Sequence, residues 1–310
     1  MTDTAQPATG GAGLATMSHA DGTLAIVAMD QRNTLRRMLT DHGRPTDDRT
    51  LEAFKVDVVE ALSPYASAVL LDPEYGVPAV RQANVIAEGC GMLVAVEPPD
   101  RDSWQGEPRA RRDPGRTAAW VTGMGGDAVK LLVQMRPDRA RRDGAPDLVA
   151  EVVSVVSAVV ADAAAAGVPS IVETVLYKLP GEEAIPPGER GALIAESARI
   201  LSETRPDLLK LEYPGDAPGC RAVADAVSVP WALLSAGMPF EKFLDAVVLA
   251  CEEGGACGFI AGRVFWNEAV ALEGPTRKAF LASTSRARLE QSIEAISGRA
   301  QPWYRTRSAA

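Results

Sequence analysis

The chain has 310 residues, of which 46% are hydrophobic but only 5% aromatic, so aliphatic side chains must fill a large core. Its formal net charge of -9 argues against nucleic acid or an anionic membrane as the main partner. The four cysteines show no CxxC spacing, and no Cys/His cluster indicates zinc. We therefore expect a cytoplasmic protein with free thiols, no metal and no membrane-spanning segment.

The N-terminus is rich in Thr, Ala and Gly and lacks the basic start and apolar core of a signal peptide. We predict a disordered tail over residues 1–20. Residues 21–310 are predicted to form one domain that ends in a helix over Thr276–Ser297. This length suits a single α/β barrel, so it does not require a second domain.

Short apolar runs alternate with longer amphipathic stretches, which is the pattern of repeated βα units. The runs are rich in Val, Ile, Leu and Ala, as strands buried on both faces should be. They predict eight strands: Thr23–Met29, Ala68–Leu71, Gly91–Val96, Ala128–Val133, Ser170–Val175, Leu208–Glu212, Trp231–Leu234 and Gly258–Gly262. Proline near the start and glycine beyond the end punctuate the predicted helices. These helices are Asp48–Leu62, Pro146–Ala165, Pro187–Thr204 and Pro239–Glu253.

Eight strands with intervening helices favour a single (β/α)8 TIM barrel of the α/β class. The alternative is a doubly wound open sheet, which would usually carry a glycine-rich loop after its first strand. Here the first strand is followed by Asp30, Gln31 and Arg32 instead.

Two segments interrupt the alternation of strands and helices. Pro98–Arg116 is interpreted as a solvated loop or, alternatively, a lid carrying arginines toward an anion, and Tyr177–Gly188 follows the fifth strand.

Ionisable residues occur at the ends of the predicted strands, where barrel enzymes place their chemistry. A charge in or just after a buried apolar strand is costly unless it is paired or used. The positions are Asp30, Asp72, Glu74, Glu97, Lys130, Glu173, Lys210 and Glu212. Lys130, Glu173 and Lys210 lie on three consecutive strands, so the fold should bring them into one barrel interior.

Two lysines in apolar strands have a specific use besides a structural ion pair. An amine attacks a carbonyl only when it is neutral, and both burial and a second nearby cation lower its pKa. The resulting imine withdraws electrons during carbon–carbon cleavage. A carboxylate must then move protons, and Glu173 or Asp30 is positioned for that role.

Two loops near the end of the chain have the composition of an anion site. Ser235, Ala236 and Gly237 follow the seventh strand, and Gly262 and Arg263 follow the eighth. Phosphate sites after these two strands recur in barrels, and an arginine adds a charge-assisted contact. Together the loops predict a phosphorylated small molecule as ligand.

Six segments resemble the class I aldolases that include tagatose bisphosphate aldolase and sulfofructose phosphate aldolase. They are DQR at 30–32, DAVKLLV at 127–133, IVET at 171–174, DLLKLEYP at 207–214, VPWALLSAG at 229–237 and GFIAGRVFW at 258–266. They follow the family's order over about residues 23 to 270. VPWALLSAG and GACGFIAGRVFW are closer to the sulfofructose phosphate branch, whereas TVLYKLPGEE after Glu173 matches neither branch.

The resemblance implies a barrel without metal or cofactor that releases dihydroxyacetone phosphate from a phosphorylated or sulfonated sugar. It implies Lys210 as the Schiff-base lysine, Lys130 as the second lysine and Glu173 as the proton relay. The implied substrate contacts are Ser235, Gly237, Gly262 and Arg263 at the phosphate, with Gln31 and Arg32 near the other end.

The preferred substrate is 6-deoxy-6-sulfofructose 1-phosphate, with tagatose or fructose 1,6-bisphosphate as the alternative. Two other functions stay open. One is a metal-dependent barrel enzyme that uses Asp30, Asp72, Glu74 and Glu97, and the other is a non-catalytic sugar-phosphate sensor. We also expect a homo-oligomer, because barrel enzymes commonly associate.

Overall fold

A computed structural model describes residues 13–100, 102–140 and 143–305. Within them lie ten strands: β1 (Leu24–Met29), β2 (Ala68–Leu71), β3 (Gly91–Ala95), β4 (Asp102–Trp104), β5 (Glu107–Arg109), β6 (Ala128–Met135), β7 (Ser170–Leu176), β8 (Leu208–Leu211), β9 (Trp231–Leu233) and β10 (Gly258–Ala261). The eight predicted strands all form, with bounds that differ by no more than two residues. The additional strands β4 and β5 form a separate antiparallel hairpin.

All the strands except β4 and β5 close into a barrel in the order β1-β10-β9-β8-β7-β6-β3-β2. Every neighbouring pair is parallel. Because β1 pairs with both β2 and β10, the sheet has no edge and the open-sheet alternative is wrong. The (β/α)8 TIM barrel is confirmed.

Helices surround the barrel and connect its strands. They are α1 (Asn33–Asp41), α2 (Asp48–Leu62), α3 (Gly76–Ala83), α4 (Ala118–Gly123), α5 (Leu148–Ala166), α6 (Pro187–Ser202), α7 (Ala217–Ala226), α8 (Phe240–Glu252), α9 (Arg263–Trp266), α10 (Gly274–Phe280) and α11 (Arg286–Ile296). Side-chain caps start several of them: Asp47 accepts from the N–H of Thr50, and Asp147 accepts from that of Ala150. The predicted final helix is divided, because a π-helical turn over Leu281–Ser285 separates α10 from α11.

Successive residues of each strand face opposite sides of the barrel wall. One set, including Leu24, Ile26 and Leu208, fills the interior. The other set, including Ala25, Val27 and Leu209, packs against the helices in the larger outer core. This alternation decides which residues can reach the centre of the barrel.

The floor of the barrel is closed by the segment just before β1. Residues Gly13–Met17 form a 3-10 helix whose Leu14 and Met17 are buried in the interior cluster, with Trp303 packed beside them. The prediction of a disordered tail is therefore wrong for residues 13–20, because two apolar side chains there complete the barrel core. Residues 1–12 lie outside the described residues.

Helix α5 is long and apolar enough to cross a membrane by length and composition, with a mean hydropathy of 2.0. Its buried side, however, covers the barrel wall through Val152, Val156 and Val159. An apolar outer helix is expected where it packs on a parallel sheet, so composition alone is weak evidence for a membrane segment.

Three arginines of the long loop after β3 form ion pairs with acidic side chains of the protein. Arg109 pairs with Glu151, Arg112 with Asp162, and Arg116 with Glu74. Of the loop residues that the structure describes, the ones at the rim of the central cleft are Pro98, Pro99 and Asp100. These three arginines are therefore balanced by carboxylates of the protein, and the lid alternative for this loop stays a prediction.

Candidate active site

The charged residues at the carboxyl ends of the strands occupy the interior positions of the same alternation that fills the floor. Ala28 and Asp30 share a face, as do Ile171 and Glu173, and Leu208 and Lys210. Each of these three strands is thus apolar toward the floor of the barrel and carries an ionisable residue at its other end. The predicted residues Asp30, Lys130, Glu173 and Lys210 meet in this top layer.

Lys130 lies fully buried beneath the cleft, with an exposure of 0%. Its ammonium group contacts the carboxylates of Asp30, Glu97 and Glu173, each at 2.8 Å. Burial lowers the pKa of Lys130, but these carboxylates reverse the effect and raise the pKa well above its usual value. Lys130 is therefore a fixed cation that anchors three carboxylates.

Lys210 reaches the cleft with an exposure of 4%. Its Nζ lies 2.9 Å from Oε2 of Glu173, the same oxygen that contacts Lys130. The register pairs Glu173 directly with Lys210 on the neighbouring strand, which explains why the two side chains meet. The contact is an ion pair, and the two groups are close enough for a proton to move between them once a hydrogen bond aligns.

The sequence suggested that the second lysine would act mainly as a cation beside the reactive amine, but the interior also contains an excess of carboxylates. Two ammonium groups, those of Lys130 and Lys210, face three carboxylates. Burial raises the pKa of Asp30, yet Lys130 and Lys210 outweigh it and hold that pKa well below the ordinary range. The same two lysines lower the pKa of Glu173 against the effect of burial. Lys130 therefore acts as a partner for carboxylates rather than as an unbalanced positive charge.

Gln31 and Arg32 line the cleft directly after Asp30. The guanidinium of Arg32 pairs with Glu74 at 3.0 Å and donates to the backbone oxygen of Glu97 at 3.3 Å. Arg116 pairs with the same Glu74 at 2.6 Å. The structure thus places Arg32 in the wall of the cleft, held by an acidic residue between two arginines.

The four carboxylates of the metal-dependent alternative do not converge. Asp30 and Glu97 contact Lys130, Asp72 contacts Lys55 and Glu74 contacts Arg32. Throughout the described parts of the chain, no three of its His, Cys, Asp or Glu side chains are grouped to hold a metal ion. The donor set favours ion pairing with lysine and arginine over metal coordination.

The predicted anion loops form one wall of the cleft. Ser235, Gly262 and Arg263 line it, and Gly237 lies behind the guanidinium of Arg263. Gly237 has a φ of 78°, and a side chain at Gly262 would collide with the backbone oxygen of Ala28. Across residues 13–100, 102–140 and 143–305, the side chain of Arg263 has neither an ion pair nor a hydrogen bond. Its charge is available to a ligand.

The cleft has a volume of about 690 Å³, which suits a sugar carrying two charged groups. Four of its charged residues were given no sugar-binding role from the sequence: Arg37, Glu97, Asp100 and Glu212. Of these, Glu97 and Glu212 were named as ionisable residues at strand ends, and Glu97 also as a metal ligand in the alternative function. Glu97 and Glu212 continue the interior alternation beyond Ala95 and Lys210, so the period of two was the available signal. Burial raises the pKa of Glu212 even though Arg190 pairs with it.

Lys55 was missed because it lies on a helix rather than on a strand. Its spacing along α2 places it in the buried stripe with Leu51, Phe54 and Val58. A lysine inside an apolar helical stripe was a usable signal.

The segment after β7 is held by a second charged cluster outside the cleft. Arg136, at the end of β6, pairs with Asp138 at 2.9 Å and with Glu182 at 2.5 Å. Arg139 and Tyr177 share the carboxylate of Glu107 on β5. These contacts join the β4–β5 hairpin to the loop after β7.

Comparison with known proteins gives a consistent result. The model of the family described as "DeoC/LacD family aldolase" matches residues 24–268. Tagatose 1,6-diphosphate aldolase 2 of Streptococcus pyogenes is 27% identical over 91% of this chain and 93% of its own length. Tagatose 1,6-diphosphate aldolase of Listeria monocytogenes is 28% identical over 94% and 93%.

Solved structures agree on the fold. An archaeal fructose-1,6-bisphosphate aldolase, whose catalytic lysine is covalently bound to the carbinolamine intermediate, superimposes with a TM-score of 0.57 at 15% identity. The match covers 90% of this chain and 98% of that one.

Proposed function

The chain belongs to the DeoC/LacD family of aldolases, which are lyases, and from that premise we propose that it cleaves a ketose 1,6-bisphosphate through an imine on Lys210. The observation that carries the proposal is the 2.9 Å contact between Lys210 and Glu173, which both line the cleft at the mouth of the barrel. It joins a candidate nucleophile to a candidate base in a largely dry site.

The reaction begins when Lys210 transfers a proton to Glu173 and its neutral amine attacks the ketone carbon. Glu173 then returns a proton to the carbinolamine hydroxyl, which leaves as water and forms the protonated imine. The imine accepts the electron pair of the breaking C3–C4 bond, while a carboxylate removes the proton of the C4 hydroxyl. The aldehyde leaves first and an enamine remains on Lys210. The carboxylic acid that took the C4 hydroxyl proton returns a proton to C3 and restores the imine, which water hydrolyses to release dihydroxyacetone phosphate and the free lysine.

Lys130 and Asp30 support these steps without forming a covalent bond. Lys130 holds Asp30 and Glu173 at 2.8 Å and keeps both carboxylates ionised before the reaction begins, so that each can accept a proton. Asp30 lines the cleft and is our candidate for the base at the C4 hydroxyl. A low-dielectric interior strengthens each of these charge contacts.

Two arginines at the cleft have no carboxylate partner among the described residues, which supports a substrate with two anionic groups. Arg263 has no carboxylate partner, and the exposed Arg37, also on the cleft wall, has Thr34 as its hydrogen-bond partner within the described residues. We infer that one phosphate binds between Ser235, Gly262 and Arg263. Arg37 and Arg32 are candidates for contacting the second anionic group.

The proposed substrate differs from the one that the sequence alone favoured. The sequence segments favour the sulfofructose phosphate branch, whereas the curated relatives are named for tagatose 1,6-diphosphate. We therefore place tagatose 1,6-bisphosphate first, fructose 1,6-bisphosphate next, and keep sulfofructose 1-phosphate as the competing substrate. A cytoplasmic location and a homo-oligomeric state stay predictions.

Turnover of a substrate panel tests the proposal. The panel contains tagatose and fructose 1,6-bisphosphates, sulfofructose 1-phosphate and fructose 1-phosphate, each with and without EDTA. We expect cleavage of a doubly charged ketose that survives EDTA and falls by at least about 10⁴-fold in Lys210→Met. Lys242→Met removes an exposed lysine of α8 and should keep full activity.

Other outcomes would separate the competing functions. Loss of activity with EDTA would support the metal-dependent alternative. Binding of a sugar phosphate without any turnover would support the sensor. Retained activity in Lys210→Met would contradict the imine mechanism directly.

A further inference from the structure

A fully buried lysine lies behind the catalytic layer, outside the groups that the reaction uses. Lys55 projects from α2 toward the end of β1 and has no exposed surface. A methionine would fill a similar volume without the desolvation cost of an ammonium group, so packing alone does not account for the lysine.

The ammonium group of Lys55 uses all three of its N–H donors. It donates to the backbone oxygens of Met29 at 2.7 Å and Gln31 at 2.8 Å. It also forms an ion pair with Asp72 at 2.7 Å, and neither side chain is exposed. Asp72 is fixed in turn by the N–H groups of Tyr75 and Gly76. The whole assembly is therefore rigid and fully satisfied.

The two carbonyl groups held by Lys55 lie on either side of Asp30. The parallel ladder between β1 and β2 ends at the pair of Met29 with Leu71, so the backbone beyond Met29 has no strand partner there. Buried carbonyl groups need a hydrogen-bond donor. Lys55 supplies it to the peptide group that directly precedes Asp30 and to the one that follows Gln31. The first contact fixes one of the two peptide planes beside the Asp30 Cα, and the second restrains the chain one residue beyond, so together they limit the direction of the Asp30 side chain.

We propose that Lys55 is a positioning residue for the reaction, because it locks the backbone around Asp30 and thereby aims that carboxylate at Lys130 and the cleft. The proposal rests on the proposed aldolase function. Lys55 touches neither substrate nor reacting atoms, and it acts through Met29, Gln31 and Asp72.

Three variants test the proposal against a purely structural role. Lys55→Met removes the ammonium group. The double variant Lys55→Met/Asp72→Asn also removes the carboxylate that would otherwise be buried without a cation. Arg277→Met is the matched control. It breaks the 2.6 Å ion pair between Arg277 on α10 and Asp57, which lies on α2 like Lys55, and it does not touch the end of β1.

Each variant is assayed for thermal stability, kcat, KM and the yield of borohydride-trapped adduct with dihydroxyacetone phosphate, well below its melting temperature. We expect Lys55→Met and the double variant to lose about 10²-fold in kcat with KM changed by less than about threefold. The trapped adduct should form in both at the wild-type yield, since Lys210 and the phosphate loops are intact. Arg277→Met should lose stability but keep its kcat.

Wild-type kcat in the double variant would overturn the proposal, because it would show that the two carbonyl contacts do not matter. Equal losses of kcat in Arg277→Met and Lys55→Met would also overturn it, since general destabilisation would then explain both. Failure of the wild-type protein to form any adduct would instead contradict the aldolase function itself, so the two failures are distinguishable.

Discussion

The two ends of this barrel are built from the same eight strands, yet their interiors have opposite character. At the floor, Leu24, Ile26 and Leu208 share one apolar cluster with Leu14 and Met17. At the mouth, the interior positions in or just after three of the strands are Asp30, Glu173 and Lys210. The alternation of the strands therefore fixes where side chains point, and the residue type at each level decides whether that level stabilises or reacts.

The groups at the mouth remain ionised although they are buried, because each is paired with a group of opposite charge. Every ionised group of the cluster contacts a partner of opposite sign within 3 Å, with Lys130 at the centre. Removing one member leaves its partners uncompensated, whereas trimming the floor only removes apolar contact. The two ends should consequently respond to substitution in different measurements.

Substituting the central cation should have the largest effect. Lys130→Met leaves three carboxylates without their shared partner, so we expect activity to fall by about 10²- to 10⁴-fold. The free energy of unfolding should fall by about 3–5 kcal/mol, as for other broken buried ion pairs. Steady-state kinetics and urea unfolding measure the two losses. Unchanged activity would show that the cluster is structural only.

A cavity at the floor should affect stability alone. Met17→Ala removes a fully buried side chain from the 3-10 helix below the barrel. We expect a loss of about 2–5 kcal/mol in unfolding free energy and a kcat unchanged in folded protein. A large loss of kcat with little loss of stability would contradict the separation between the two ends.

The unbalanced arginine at the rim should contribute a smaller effect on binding. Arg37→Gln removes a charge from the cleft wall, and we expect KM for a doubly charged ketose to rise about tenfold, or about 1.4 kcal/mol. Little change is expected for fructose 1-phosphate if Arg37 contacts the second anionic group. Arg49→Gln changes the same charge at an exposed position of α2 and serves as control. Equal KM changes for both variants would exclude a direct contact.

Lowering the pH should weaken the ion pairs at the mouth of the barrel before it affects the apolar packing at the floor. Asp30 and Glu173 have pKa values lowered from 3.8 and 4.5, so their contribution to stability is present above those values. It is lost as the pH falls through the lower folded-state pKa values. Asp30→Asn should therefore flatten the decline in unfolding free energy below pH 4.5, whereas the exposed Asp225→Asn should not. An identical acid limb in the wild type and Asp30→Asn would contradict this.

Much of the barrel and its reactive layer is readable from sequence for physical reasons. Parallel strands buried on both faces are short aliphatic runs, and Lys130, Glu173 and Lys210 stand out because charges are rare inside such runs. The strand order places these three together without any further information.

The parts that sequence misses depend on contacts between distant segments. Lys55 contacts Met29 and Gln31 only after α2 has packed on β1, and Lys130 gains Glu97 only when β3 and β6 are neighbours. Residues 13–17 have a tail-like composition, yet two of their side chains close the floor. The β4–β5 hairpin has strands of only three residues, too short for a periodic signal.

The central claim is that Lys210 forms the covalent intermediate, and borohydride reduction during turnover tests it most directly. Mass spectrometry of the digested protein should find a reduced triose phosphate adduct on the peptide containing Lys210 and on no other lysine, and Lys210→Met should acquire none. Catalysis that continues without any adduct, or an adduct located on Lys130 instead, would contradict the account.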